Sequence, residues 1–428
     1  MLARRQQGTG TEPYDPGDVG GPRRWRNLGI AAGATTAVIF AGFDLYQWMV
    51  AYASDHFHND FTFYYAAARI GAGHGWPSIY DLGLQQSELN AMGSGIGIAE
   101  LARYISPPPV AWLALPFTLL PYPVAYLAWS GLLLAALAGT WYLAAPGAGR
   151  ARLIHLVAAL AWLPTIYALQ LGQPGLFVAF GAASSYFLLR RGRQFESGLA
   201  LGLIVFKPQL GFLLPIALLV GGRYRAFAGA ALAIGLLALA SAVNVGPGGI
   251  ATYEQRLTFA AGVPVNQALT LAPYLGNLTV TRALQAAIAI WAIGLVYRFR
   301  RRSPEWMYVT AIIGGLVASP YLHMDDLVML GLAAWFYLRI ARRPRWSWAF
   351  VLVLVVAAEG ITEWGPLPLI AGEIAALVLL SIAALKHEDR DPEHHSAEGE
   401  HDAGLQHDRE DVTADRQGEL LDLPGGPA

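Results

Sequence analysis

The sequence has no cysteine and only two lysines, Lys207 and Lys386, and just 14% of its 428 residues are charged. The missing thiols exclude disulfides, thiolate nucleophiles and cysteine metal sites, and leave the redox compartment open. The shortage of charge excludes more. A water-soluble domain covers its surface with about a quarter charged residues, and this chain cannot. A net charge of −1 removes the electrostatic footprint of a nucleic-acid binder, so no nucleic-acid partner is expected.

What is present is apolar, at 55% of the chain. Leu28 to Phe43, Leu153 to Leu169, Phe227 to Val243, Leu284 to Val296 and Leu369 to Leu385 are predominantly apolar windows, interrupted by His155 and Glu373. Several can cross about 30 Å of hydrocarbon, and the others need neighbours to complete a span. Repeated crossings by one chain call for helices, which satisfy their own backbone hydrogen bonds. The expected fold class is all-α, a polytopic transmembrane helical bundle with roughly ten or more crossings and folded outer loops. The first apolar stretch follows Arg23, Arg24 and Arg26 and reads as an anchor rather than a cleaved leader.

Arginine clusters recur at 23–26, 150–152, 190–193, 223–225, 298–302 and 339–345. The positive-inside rule places them in the cytoplasm. Residues 54–106, the turn around Gln173, residues 246–280, Ser319 to Asp326 and Glu359 to Pro366 then face the opposite side. Residues 197–220 begin and end on the basic side, with Lys207 and Pro208 near the middle. Two short helices meeting at Lys207 resolve that parity, as broken helices do where they line a polar cavity. The domain plan is a disordered cytoplasmic N-terminus at 1–27, a membrane domain at 28–385 and a disordered acidic tail at 386–428. The tail holds thirteen acidic residues against four basic ones. Its five histidines, His387, His394, His395, His401 and His407, lack a scaffold to fix a metal.

Three places could carry chemistry. Asp60 stands before the aromatic stretch Phe61 to Ile70, where it is either a helix cap or a carboxylate held at the membrane edge. Lys207 lies in the apolar run Leu199 to Leu218, where it is either a structural, snorkelling lysine or the cation of an anion site such as a lipid phosphate. The segment Ser319 to Asp326 gathers Tyr321, His323, Asp325 and Asp326, a set suited to helix capping, a proton relay, a sugar or phosphate site, or a metal with His56 or His58 as a further ligand. Asn266 and Gln267 are of the type that hydrogen-bonds sugars.

These segments, taken together, resemble glycosyltransferase family 87, which includes polyprenol-phosphate-mannose-dependent α-mannosyltransferases. The likeness rests on Asp60-Phe61-x-x-Tyr64-Tyr65-Ala66, on Gly73 followed by Tyr80-Asp81, and on Pro107-Pro108 entering a helix that ends in Leu115-Pro116. It continues through Leu171-Gly172-Gln173, Lys207-Pro208, Asn266-Gln267 and Ser319-Pro320-Tyr321-x-His323, over approximately residues 30 to 385. Ala268 departs from the pattern, which has a small hydroxyl residue there. The resemblance implies a C-type glycosyltransferase fold and transfer of a sugar, mannose by family habit, from a polyprenyl-phosphate donor to a glycolipid or glycan hydroxyl. It implies inversion, no required cofactor or metal, and a multi-pass location in a bacterial plasma membrane with the site facing outward. Asp60 is then the general base, His323 a second catalytic residue, and Lys207 the donor-phosphate cation. Tyr64, Tyr65, Gln173, Asn266, Gln267 and Tyr321 are the substrate-binding residues. The expected partners are the lipid-linked sugar, the acceptor and membrane lipids. A lipid-linked-sugar transporter or flippase would share the helices and the cation but not need Asp60. A structural component of an envelope-glycan assembly complex would need none of the three.

The charge pattern makes a direct prediction. Reporter fusions at Gly10 and Glu410 should both report the cytoplasm, and an outward-facing tail would overturn the topology.

Overall fold

The computed structural model describes residues 22–341 and 347–385. The acidic tail and most of the expected N-terminal segment lie outside the described residues. Helix α1 (Pro22–Ser54) nevertheless starts inside the stretch assigned to that segment. Its outward residues, Val38, Ile39, Phe40 and Phe43 among them, are exposed and apolar, which suits a helix solvated by lipid.

The chain then folds over one end of the bundle. Asp60 leads into α2 (Phe61–His74), which is buried along most of its length, and α3 (Leu82–Ala91) follows. Gln85 ties this loop together by donating to the Ile79 carbonyl and accepting from the Tyr104 amide, both at 2.9 Å. The outer loop is therefore a packed cap. Helix α4 (Pro108–Ala114) passes into a 3-10 turn that ends at Leu119, so this half-span does not cross by itself. Helix α5 (Tyr122–Ala144) does.

Helices α6 (Gly149–Leu160) and α7 (Leu163–Leu171) form one apolar path bent by 60°. The Leu163 amide, which the bend leaves without a helical partner, donates to the Glu359 carboxylate at 2.7 Å. Helix α7 stops at Gly172, whose φ of +72° suits glycine, and its carbonyl accepts from the Trp129 indole at 2.8 Å. Helix α8 (Gly175–Arg190) runs for 16 residues, about 24 Å, to the basic end.

Next comes the stretch that begins and ends on basic residues. Helix α9 (Gln194–Ala200) and a 3-10 turn reach Lys207, whose backbone is non-helical. A second 3-10 turn and α10 (Leu213–Val220) return to Arg223. The two-armed hairpin expected at Lys207 is present, with arms that are partly 3-10. Helix α11 (Tyr224–Gly262) is broken at Gly246 (φ +68°) and Pro247, and its second half packs on the outer-loop cap. After α12 (Ala272–Leu275), α13 (Leu278–Arg298) and α14 (Pro304–Val317) form a hairpin. A break at Ala318 to Leu327 precedes α15 (Val328–Arg339). The chain closes with α16 (Ser347–Glu359), α17 (Ile361–Trp364) and α18 (Leu367–Leu385).

Among the described residues, five helices are long and apolar enough to cross a membrane, or six if α6 and α7 count as one. This is fewer than the crossings read from the apolar windows. The remaining apolar segments include the shorter helices α8, α14 and α15, which run between the arginine end of the bundle and the breaks at its other end. Two hydrophobic cores fill the bundle, one around α2, α5 and α7 and one around α8, α10, α13, α14, α15 and α18.

Small residues set how closely the Lys207 hairpin packs on α11. A side chain at Gly198 would meet the Ala226 carbonyl, and one at Gly229 would meet the Phe195 carbonyl. Backbone cannot yield as a side-chain end does. Gly198→Ala and Gly229→Ala should each destabilise the protein by about 1–3 kcal/mol. Gly235→Ala, which meets nothing within 4 Å, should be neutral or slightly stabilising. Thermal unfolding in detergent reads the contrast.

Candidate functional site

Four interruptions of helix meet at one end of the bundle: the α1–α2 loop, the α7–α8 turn, the Lys207 hairpin and the α14–α15 break. They lie at the opposite end of α8, α14 and α15 from the arginines. At that basic end Arg190 pairs with Glu305 at 2.7 Å, and Arg339 donates to the Ala145 carbonyl at 3.2 Å.

The position before α2 decides what Asp60 does. Its backbone is already helical and its side chain accepts no capping hydrogen bond. Asn59 takes that task, accepting from the Thr62 amide at 3.3 Å. The Asp60 carboxylate is thereby released from the helix and turns toward α7 and α8. Its own amide donates to the Leu171 carbonyl at 2.9 Å, and the Gln173 side-chain amide donates to its Oδ2. The Tyr64 hydroxyl, one turn into α2, donates to Gln173 Oε1 at 3.3 Å. Gln173 thus bridges Tyr64 and Asp60, with one amide N–H on the carboxylate.

Across the seam between the two cores stands Lys207. Its ammonium donates to Asp325 at 2.5 Å and to Asp326 at 2.6 Å, and both aspartates are fully buried. Asp326 also accepts from the His323 amide at 2.9 Å. The second oxygen of Asp325 is buried with no hydrogen-bond partner. Lys207 has three N–H donors, and two of them are committed to carboxylates. The sequence reading offered capping, a proton relay, a sugar or phosphate site or a metal for this segment; Asp326 does cap, through the His323 amide, but both aspartates were missed as partners of Lys207. The signal was the cost of a cation in an apolar run, which demands an anion.

His323 stacks on Tyr321 with ring centroids 4.8 Å apart. Its Nε2 lies 2.8 Å from Asn266 Oδ1, which can only accept, so Nε2 carries the proton. Burial lowers the pKa of His323 below its ordinary value, with Lys207 adding to the effect and Asp325 opposing it. The imidazole is therefore neutral at neutral pH. Asn266 is held in turn by donating to the Ala260 carbonyl at 2.7 Å.

Two expected substrate residues are not drawn into this network. Tyr65, next to Tyr64 on α2, points the other way and donates to the Leu120 carbonyl at 2.9 Å. Gln267 donates to the Ala261 carbonyl of its own loop. Tyr167 on α7 joins the site without having been foreseen, half-buried where it feels the charges of Asp325 and Asp60. Among the described residues no group of three or more His, Asp or Glu is placed to hold a metal ion. His58 stays in the α1–α2 loop, 3.1 Å from Asp55.

Burial raises the pKa of Asp60 to about 7, with the Asp325 charge adding to the rise and Lys207 and Gln173 opposing it. A carboxylate with these properties can accept a proton near neutral pH.

The model of glycosyltransferase family 87 matches residues 104–358. This includes Gln173, Lys207, Asn266 and the α14–α15 break, and leaves Asp60 and α2 outside. No curated protein and no solved structure matches the chain.

The charge balance around Asp60 sets its pH behaviour. Folded protein holds the Asp60 proton up to about pH 7, whereas the unfolded chain loses it near 3.8. Stability should therefore fall as pH rises through that window, while any function of the ionised carboxylate rises. Gln173→Leu removes a donor that favours the charged form. It should move the acidic limb of a pH–activity profile to higher pH, and an unmoved limb would separate Gln173 from Asp60.

Proposed function

Because the chain belongs to glycosyltransferase family 87, we propose that it transfers a sugar, mannose by family resemblance, from a polyprenyl phosphate to a glycolipid or glycan hydroxyl. Membership makes the protein a membrane-embedded glycosyltransferase. The observation that carries the finer reading is the placement of Asp60: a carboxylate excused from helix capping and held by Gln173 among the breaks at one end of the bundle.

In the reaction proposed, the acceptor hydroxyl gives its proton to Asp60 as its oxygen attacks the anomeric carbon. The bond from that carbon to the phosphate oxygen breaks, and polyprenyl phosphate leaves with the electron pair. One displacement inverts the anomeric centre. The leaving group is stable as an anion at neutral pH, so no strong acid is needed. A sugar hydroxyl is a poor nucleophile until its proton departs, so the base is the demanding part. Tyr64 supports Gln173, and Tyr321, His323 and Asn266 form a polar wall suited to sugar hydroxyls. His323, being neutral, serves by hydrogen bonding rather than by charge. Lys207 is the counter-ion of Asp325 and Asp326 and closes the hairpin against them, with two of its three N–H donors committed to carboxylates.

With the arginine end in the cytoplasm, the site opens on the outer face of a plasma membrane, where a lipid-linked donor and a glycolipid acceptor can both reach it. Residues 28–385 then form the catalytic domain, with loops 54–106 and 246–280 over the site and segments 1–27 and 386–428 inside.

The base assignment separates cleanly from a structural role. Asp60→Asn keeps the shape, loses no cap and removes a half-buried carboxylate, so unfolding in detergent should be unchanged or shifted upward. Transfer should drop by roughly a hundredfold or more. A purified Asp60→Asn protein that transfers sugar near the wild-type rate would remove Asp60 from the chemistry. Chelator should leave the wild-type rate unchanged, and restoration of a lost rate by magnesium or manganese would show a metal requirement.

A further inference from the structure

A phosphate-bearing donor needs a cation, and the buried cluster has none to spare. Lys207 faces Asp325 and Asp326 directly, and Asp60 stands close enough for its charge to matter. One ammonium among three carboxylates leaves the recess negative or at best neutral. Free positive charge occurs elsewhere on the same end of the molecule, where the outer-loop cap meets the second half of α11.

Arg103 ends the exposed stretch of that cap. Its guanidinium carbon lies 4.1 Å over the Phe259 ring, and its Nε donates to the Ala99 carbonyl at 2.7 Å. Phe259 is three residues after Arg256 on α11, so the two share a helix face and Arg256 stands beside Arg103. The Nε of Arg256 is buried with no hydrogen-bond partner. The two guanidiniums are near enough for the Arg256 charge to act on Arg103, with Glu100 as the acid that partly balances them. Two like charges from separate segments, one with an unused buried donor, are unfavourable unless something anionic joins them. The pair is linked to Asp60 through aromatic contacts. Tyr104, next to Arg103, packs edge-on to Tyr64 at 6.2 Å, and Tyr80 stacks on both Tyr104 and Tyr253, one turn before Arg256.

We propose that Arg103 and Arg256 form a two-pronged anion site that takes the phosphate of a membrane lipid presented to the Asp60 recess. The guanidinium fork suits phosphate, because two N–H donors can meet two oxygens at once. The site deepens the transferase reading, and depends on it only for naming the lipid as the polyprenyl-phosphate donor.

The test is equilibrium binding to the full-length protein in detergent, which needs no turnover. Polyprenyl phosphate without sugar is compared with the uncharged polyprenol, and vesicles of phosphatidylglycerol and inorganic phosphate serve as the other anions. The variants are Arg256→Gln, Arg103→Gln and Arg103→Lys, the last keeping the charge and the stacking stem if the glutamine variant folds poorly. Polyprenyl phosphate should bind about tenfold or more weaker to Arg256→Gln and to Arg103→Gln, with polyprenol unchanged. Loss of phosphatidylglycerol binding alone would keep the anion site and assign it to another lipid. Loss of inorganic phosphate binding alone would overturn a lipid site, and so would wild-type binding of every ligand by every folded variant. Asp60→Asn is run alongside. If the wild-type protein transfers no sugar the transferase reading fails, and if Asp60→Asn transfers normally only the base assignment fails; in either case the binding result still decides the arginine site.

Discussion

The contact of Lys207 with Asp325 and Asp326 is the constraint around which the active end of this bundle is organised. An ammonium and two carboxylates buried together are costly to desolvate, and the cost is offset only if all three are held in close register. That register requires the chain to break at Lys207 and again between α14 and α15. Each break sacrifices backbone hydrogen bonds that a continuous helix would make, and each is repaired locally, as where the Leu322 amide donates to the Asn266 carbonyl at 3.2 Å. The glycines of α9 and α11 let the Lys207 hairpin sit deep enough to reach the aspartates. Removing one partner leaves buried charge uncompensated, which typically costs about 3–5 kcal/mol.

Burial is the main cause of the raised pKa of Asp60, and the same contact adjusts it. Asp325 pushes against ionisation of its neighbour, and Lys207 favours it. The carboxylate is left poised near neutrality instead of being locked into either form, which is where a general base works best. Two of the three Lys207 donors are committed to carboxylates. Binding of an anion is accordingly proposed for the arginines of the cap, and acceptance of a proton for Asp60.

Much of this was legible in the sequence, for reasons that can be named. Arginines at the ends of apolar stretches marked one end of the bundle, and the odd parity at 197–220 required a turn at Lys207. The carboxylate before Phe61 stood out because the following residues are aromatic and apolar. Other features carried no such signal. Tyr64 and Tyr65 are equivalent in a string of letters, yet neighbours on a helix point about 100° apart, and only Tyr64 faces Gln173. Whether Asn59 or Asp60 caps α2 depends on backbone angles that composition does not encode. Asp325 and Asp326 look like ordinary helix-end acids until a lysine more than a hundred residues earlier is folded against them. Helix length carried no such signal either, because short apolar helices that end at breaks have the same composition as parts of longer ones.

The central claim is that Asp60 is a half-buried carboxyl poised to exchange a proton near neutral pH. Infrared difference spectroscopy of the wild-type protein against Asp60→Asn, titrated in detergent, reads that group directly through its protonated carboxyl stretch. The account predicts a band that is lost in the variant and titrates at about pH 7. A band that titrates near pH 4, or no difference between the two proteins, would contradict it.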